Sequence, residues 1–384
     1  MTDTQNIPIL DDGQWPARCY SRRGFLRNSL ELLVAGAVFG GFAGSGLAGC
    51  ASTGASTPIP TSLPTSPVPS GRITPGNAAS MTRLATLRPQ DGLARAVAWS
   101  PDSQVVASGG YPDICLWDVA TGRLRARLSG HTNQIYSMAW SSASGLLASA
   151  SSDGSVRVWD GRQSQALRTL QSAPSIPLFS VCWSPDGERI AAGTEAGNVL
   201  LWGAQNGKQI ATWEGPSRRV SKGGRFPFAA WGVAWSPDGR HIVSTRYDDY
   251  VLVWDVATGR GQVIPKTDTQ PNTVAWAPDG SQFALTDDQG KVILWNGATM
   301  RRVTSFEGHD DAGWAYGLAW SPDSAMIAAS RQSGLMQLWD ARSGRELAAI
   351  QGHTNAIWSM AWSPDRLRLA SASDDETVCL WGVR

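Results

Sequence analysis

The chain has 384 residues, of which 42% are apolar and 17% charged, with 41 glycines, 19 tryptophans and a formal charge of +1. That length suits one large domain or two ordinary ones, and the near-zero charge excludes a global pull toward nucleic acid or an anionic surface. The cysteines show no Cys-x-x-Cys spacing, so no zinc site or disulfide framework is legible, and Cys115, Cys182 and Cys379 read as buried free thiols.

Residues 1–20 are polar and aperiodic. Ser21-Arg22-Arg23-Gly24-Phe25-Leu26-Arg27 then leads into an apolar run rich in Gly and Ala that ends Leu47-Ala48-Gly49-Cys50. Paired arginines ahead of a weakly hydrophobic segment resemble a twin-arginine export signal. The closing four residues resemble a lipobox, which puts a thiol directly after the cleavage point. The expectation is a signal peptide over 1–49, with Arg22 and Arg23 as the export signal and Cys50 as the lipid attachment site. The alternative is an uncleaved anchor, since the apolar run is just long enough to span a bilayer. In either case the positive flank stays in the cytoplasm and the remainder lies on the outer, extracytoplasmic face of the cell membrane. Residues 50–80 start with that cysteine and continue dense in Ser, Thr, Pro and Gly, a composition expected to form a disordered tether.

Residues 81–384 repeat. A first Trp recurs at Trp99, Trp140, Trp183, Trp235, Trp276, Trp320 and Trp362, and a second follows each at Trp117, Trp159, Trp202, Trp254, Trp295, Trp339 and Trp381. Between them lie short alternating runs rich in Val, Ile, Leu and Trp, cut by Gly, Asp, Pro and Ser turns, which are strand and turn signals. A period of this size marks a repeat architecture whose units must cover one another's faces. The units resemble WD40 repeats, with Trp-Asp intact at 117–118, 159–160, 254–255 and 339–340 and drifted at 202–203, 295–296 and 381–382. The resemblance implies an all-β, seven-bladed β-propeller on an exported lipoprotein of bacterial type. The segment 82–88 resembles the outer strand that is missing after Trp381, so the N-terminal strand is expected to close the last blade and remove an exposed edge.

The same resemblance implies a hydrogen-bonded His–Ser–Asp–Trp set in two units, His131, Ser149, Asp153 and Trp159, and His353, Ser371, Asp375 and Trp381. A Ser/His/Asp combination invites a catalytic reading, but the repeat register makes these structural bonds, and no oxyanion site accompanies them.

In WD40 propellers the residue four before the first Trp points onto one face near the channel mouth. Here those residues are Arg95, Tyr136, Phe179, Trp231, Asn272, Tyr316 and Trp358, with Trp314 nearby. Exposed aromatics with Arg have the composition of an interface hot spot. The position before the tetrad Asp adds Glu195, Asp288 and Asp374 to a partly acidic rim. The long loop 214–230 enters the same face with Arg218, Arg219, Lys222 and Arg225, a local basic guide for an acidic partner. Together these residues form the expected partner-binding set of a non-catalytic scaffold for a peptide or protein, monomeric, with no cofactor, no metal and no nucleic-acid partner. A carbohydrate- or cell-wall-binding propeller is the alternative, since rings also stack on sugars. A propeller hydrolase is a more distant one, since it needs converging carboxylates or His around a metal.

Overall fold

The repeat folds as an antiparallel meander of four strands, and it does so seven times. The computed structural model describes residues 69–89, 92–172, 176–215, 229–246, 250–264, 269–308 and 313–384. Arg22, Arg23 and Cys50 lie outside them, as do the loop residues Arg218, Arg219, Lys222 and Arg225. Blades 1 to 6 span 96–128, 135–171, 178–213, 230–263, 271–306 and 318–351, and blade 7 joins 357–383 to 81–87.

Blade 2 shows the local logic. Its inner strand Ile135–Trp140 runs antiparallel to Leu147–Ser151, which pairs with Ser155–Asp160, which pairs with Gln165–Gln171 at the rim. The second strand is buried at every residue, as are Val105–Gly109, Met326–Ser330 and Leu369–Ser373. The expected alternation therefore disappears in these strands, because neighbouring blades cover both sides. Only the rim strands stay largely exposed.

The two Trp residues divide the work of joining blades. The second Trp of every repeat is buried between sheets. In blades 1, 3 and 6 the first bonds into the preceding blade: Trp99 Nε1 donates to Ala361 O at 2.9 Å, Trp183 Nε1 to Ala139 O at 3.0 Å and Trp320 Nε1 to Ala275 O at 3.1 Å. Each accepting alanine immediately precedes the neighbour's own first Trp, and its small side chain leaves the carbonyl reachable. Backbone amides support the same seams, with Val97 N donating to Ser359 Oγ, Val181 N to Ser137 Oγ and Val233 N to Ser180 Oγ.

The first strand, Met81–Leu87, pairs antiparallel with Val378–Val383 and so supplies the rim strand of blade 7. The segment before it departs from the tether expected over 50–80. Ser70 N donates to Val383 O, Ile73 N donates to Arg366 O, and Ile73 and Ala78 are fully buried in the core that Met81, Met326 and Val383 share. One isoleucine in a Pro- and Gly-rich stretch is enough to dock it, because it fills an apolar site between blades 6 and 7. Cys115 and Cys379 are buried; the Cys182 thiol is enclosed, and burial pushes it up to about 12.

Candidate interaction face at the channel mouth

The seven inner strands surround the axis, and the residue that opens each of them converges on the channel mouth. The side chains predicted for this face meet one another there. Phe179 stacks on Trp231 with centroids 4.4 Å apart, and Tyr136 meets Phe179 edge-on at 5.0 Å. On the other side Tyr316 stacks on Trp358 at 4.2 Å, with Trp314 stacked behind Tyr316 at 6.3 Å. Arg95 joins the two groups. Its guanidinium carbon lies 4.8 Å from the Trp358 ring centre and 6.0 Å from that of Tyr136, distances at which a cation is attracted by the ring face. Arg95 Nε also lies 3.4 Å from Asp374 Oδ1, so the acidic rim residue of blade 7 balances the arginine of blade 1. Burial raises the Tyr136 phenol despite the opposing effect of Arg95.

This arrangement corrects one expectation. Arg95, Phe179 and Asn272 are not surface contacts, being 7%, 4% and 2% exposed. Seven strands meeting at small radius leave each large side chain covering the next. Asn272, the one small member of the set, turns away and donates through Nδ2 to Ala315 O at 3.0 Å. Tyr136, Trp231, Trp314, Tyr316 and Trp358 remain half-buried and carry the accessible surface of the ring. Glu195 stands exposed on the rim, its carboxyl raised by partial desolvation.

Both expected tetrads form. In blade 2, Trp159 Nε1 donates to Ser149 Oγ at 2.9 Å, Ser149 Oγ lies 2.7 Å from His131 Nε2, and His131 Nδ1 lies 2.7 Å from Asp153 Oδ2. Blade 7 repeats the chain through Trp381, Ser371, His353 and Asp375 at 2.8, 2.7 and 2.9 Å. Burial alone would raise Asp153, but hydrogen bonds from His131 and Ser155 outweigh it and hold the carboxyl well below the usual range; Asp375 is lowered likewise. Both histidines are buried. Each serine hydroxyl is spent on a histidine and a tryptophan, so neither set presents a nucleophile.

Blade 6 uses a substitute that sequence reasoning missed. Arg331 donates through Nε and Nη2 to Gln337 Oε1, and Gln337 Nε2 donates to Glu346 Oε2 at 3.0 Å. The available signal was Gln337, a polar residue two before a core Trp. Among the described residues no His, Cys, Asp and Glu group is arranged to hold a metal, and no helix is long and apolar enough to cross a membrane.

Six stretches, 81–118, 122–160, 164–203, 207–255, 300–340 and 344–382, match the family described as WD domain, G-beta repeat. The three inner strands of blade 5 fall between the fourth and fifth. There Leu285 stands where blades 1, 2, 4 and 7 carry the Trp-bonding Ser, Asn296 replaces Asp, and the buried Trp295 Nε1 has no hydrogen-bond partner. Similar proteins include the Periodic tryptophan protein 2 homolog of Schizosaccharomyces pombe, 27% identical over 176 residues, which are 42% of this chain and 20% of that protein. The THO complex subunit 6 homolog of Danio rerio is 30% identical over 70 residues, 18% of this chain and 22% of that one. Target of rapamycin complex subunit wat1 of Schizosaccharomyces pombe is 33% identical over 79 residues, 20% and 25%. The matched stretches thus span a quarter or less of these relatives.

Proposed function

The chain belongs to the WD domain, G-beta repeat family, and from that footing we propose that its propeller is a non-catalytic scaffold that binds a peptide or protein partner on the aromatic face. The observation that carries this reading is the near-continuous ring at the channel mouth, where Trp231, Tyr136, Tyr316 and Trp358 offer half-buried ring surface held rigid by stacking. Prestacked aromatics lose little conformational freedom on binding, so the area they bury counts toward affinity. The buried Arg95–Asp374 pair braces the rings from behind, with the guanidinium against Trp358 and Tyr136. Two of the relatives are named as complex subunits, which is said of those proteins and is consistent with a scaffold here.

Export and a lipid anchor are part of the same proposal. They are supported by Arg22-Arg23 ahead of the apolar run and by Leu47-Ala48-Gly49-Cys50. Anchoring is tested by Cys50→Ala, which is expected to leave the membrane fraction; retention there would point to an uncleaved anchor. The binding reading is tested by cross-linking the full chain in its native membrane beside a Trp231→Ala/Trp358→Ala variant that melts as wild type does. A partner recovered by wild type and lost by the variant is expected, and equal recovery by both would move the site off this face.

A further inference from the structure

The face opposite the aromatic mouth carries its own ring, built by the turns that follow the first Trp of each repeat. Three of its seven seams are bridged by a hydrogen bond or an ion pair, and at three more the turns approach one another. A methyl group at Gly187 would meet Ser141 and Ala143 of blade 2 within 3.0 Å, one at Gly239 would touch Pro185 at 4.0 Å, and one at Gly280 would touch Pro237 at 3.9 Å. Ser324 Oγ accepts from Asp279 N and Ser103 Oγ from Asp365 N, both at 3.1 Å, and Arg366 pairs with Asp323. The seam between blades 1 and 2 is the exception. The turn of blade 2 reads Ser141-Ser142-Ala143-Ser144-Gly145, the one copy without Pro-Asp, and its glycine comes one position later than Gly187, Gly239 and Gly280, bonding back to Ser141 O four residues before it rather than three.

The open seam is a cleft of about 460 Å³, within the size range of small-ligand sites. Trp140 lies along it, half exposed, with Gly161 so close that any side chain there would strike the indole. The carboxylates in the cleft are each engaged by their own turn. Asp102 Oδ1 accepts from Ser100 Oγ and Gln104 N, and Asp160 Oδ1 from the backbone amides of Arg162 and Gln163. Arg125 and Arg162 also line it, both exposed; among the described residues neither guanidinium has a hydrogen bond or a close ion pair, and each acts through space on one carboxylate, Arg162 on Asp102 and Arg125 on Asp118.

We propose that this cleft is a second binding site, distinct from the aromatic mouth, for an oxyanion carried on a flat apolar body. The body lies on the Trp140 indole, and the carboxylate or phosphate bridges the two guanidiniums, whose planar donor forks match such groups. The site does not depend on the scaffold reading, since the same inner strand presents Tyr136 to one face and Trp140 to the other.

The test is a titration of the full chain, followed by the tryptophan indole N–H signals, with phenyl phosphate, benzoate and benzylammonium. Saturable binding of an anion is expected, weakened about tenfold or more in Arg125→Ala/Arg162→Ala, whose sites are exposed and tolerate truncation. Preference for phenyl phosphate assigns a phosphate ligand and preference for benzoate a carboxylate. Restoring the missing turn with Ser142→Pro/Ala143→Asp/Ser144→Gly is expected to bring the blade 2 turn toward Pro101, in the register in which Gly239 faces Pro185, and to abolish binding at unchanged melting temperature. Benzylammonium binding as tightly as the anions, no probe binding at all, or anion binding that survives the arginine truncations would each overturn the proposal.

Discussion

The indole nitrogen of Trp99 donates to the carbonyl of Ala361 across 2.9 Å and fastens blade 1 to blade 7. The outer part of that closure is the ladder between Met81–Leu87 and Val378–Val383. Deleting residues 82–88 strips blade 7 of its rim strand and exposes an edge. Scanning calorimetry is expected to show a loss on the order of 10 °C or more. An unchanged melting temperature would mean that the strand contributes nothing to closure.

Ile73 is fully buried, although the composition around it reads as a tether. Ile73→Ala is expected to cost about 2–4 kcal/mol, the range for emptying an apolar core site. Denaturant titration reads this directly, and a change within error would show that the segment does not dock in solution.

Acid should attack the tetrads first. The folded-state values of Asp153 and Asp375 are depressed, burial being outweighed by hydrogen bonds from their histidine, Ser155 and Thr377 partners. A depressed carboxylate contributes stability that is present above its unfolded value of about 4 and lost as pH falls through the folded value. The melting temperature is therefore expected to fall steeply below about pH 4. In Asp153→Asn/Asp375→Asn the starting value should be lower and the slope shallower. Parallel slopes would place the acid sensitivity elsewhere.

Arg95 acts through its plane as well as its charge. Arg95→Lys keeps the attraction to Asp374 and loses the guanidinium face between Trp358 and Tyr136. Partner capture by this variant is expected to weaken about tenfold, with only a small change in thermal stability. Full capture would show that the charge alone holds the rings in place.

The periodic pair of tryptophans made the blade number legible, because each blade must bury the same two indoles against its neighbour, and that demand recurs in the sequence. The closing strand and the two tetrads were legible for the same reason, since their positions follow from repeat register. Register also located the aromatic set, from Arg95 in blade 1 to Trp358 in blade 7. It did not tell which of these side chains stay accessible. That depends on neighbours from other blades, distant in sequence: Trp231 covers Phe179, and Trp358 and Tyr136 enclose Arg95.

Strand content, repeat number and the order of blades were thus determined by the sequence itself, through local turn chemistry and an apolar period that only stacked sheets can satisfy. Three things were decided by tertiary structure. Ile73 docks because blades 6 and 7 leave an apolar site for it, which no local pattern encodes. Arg331 and Gln337 replace a tetrad because their side chains meet across a strand. The cleft beside Trp140 exists because the blade 2 turn, the one copy without Pro-Asp, leaves the seam toward Pro101 of blade 1 open. Each is a relation between side chains that the chain path brings together, and its free energy lies in packing at a distance rather than in the propensity of any one segment.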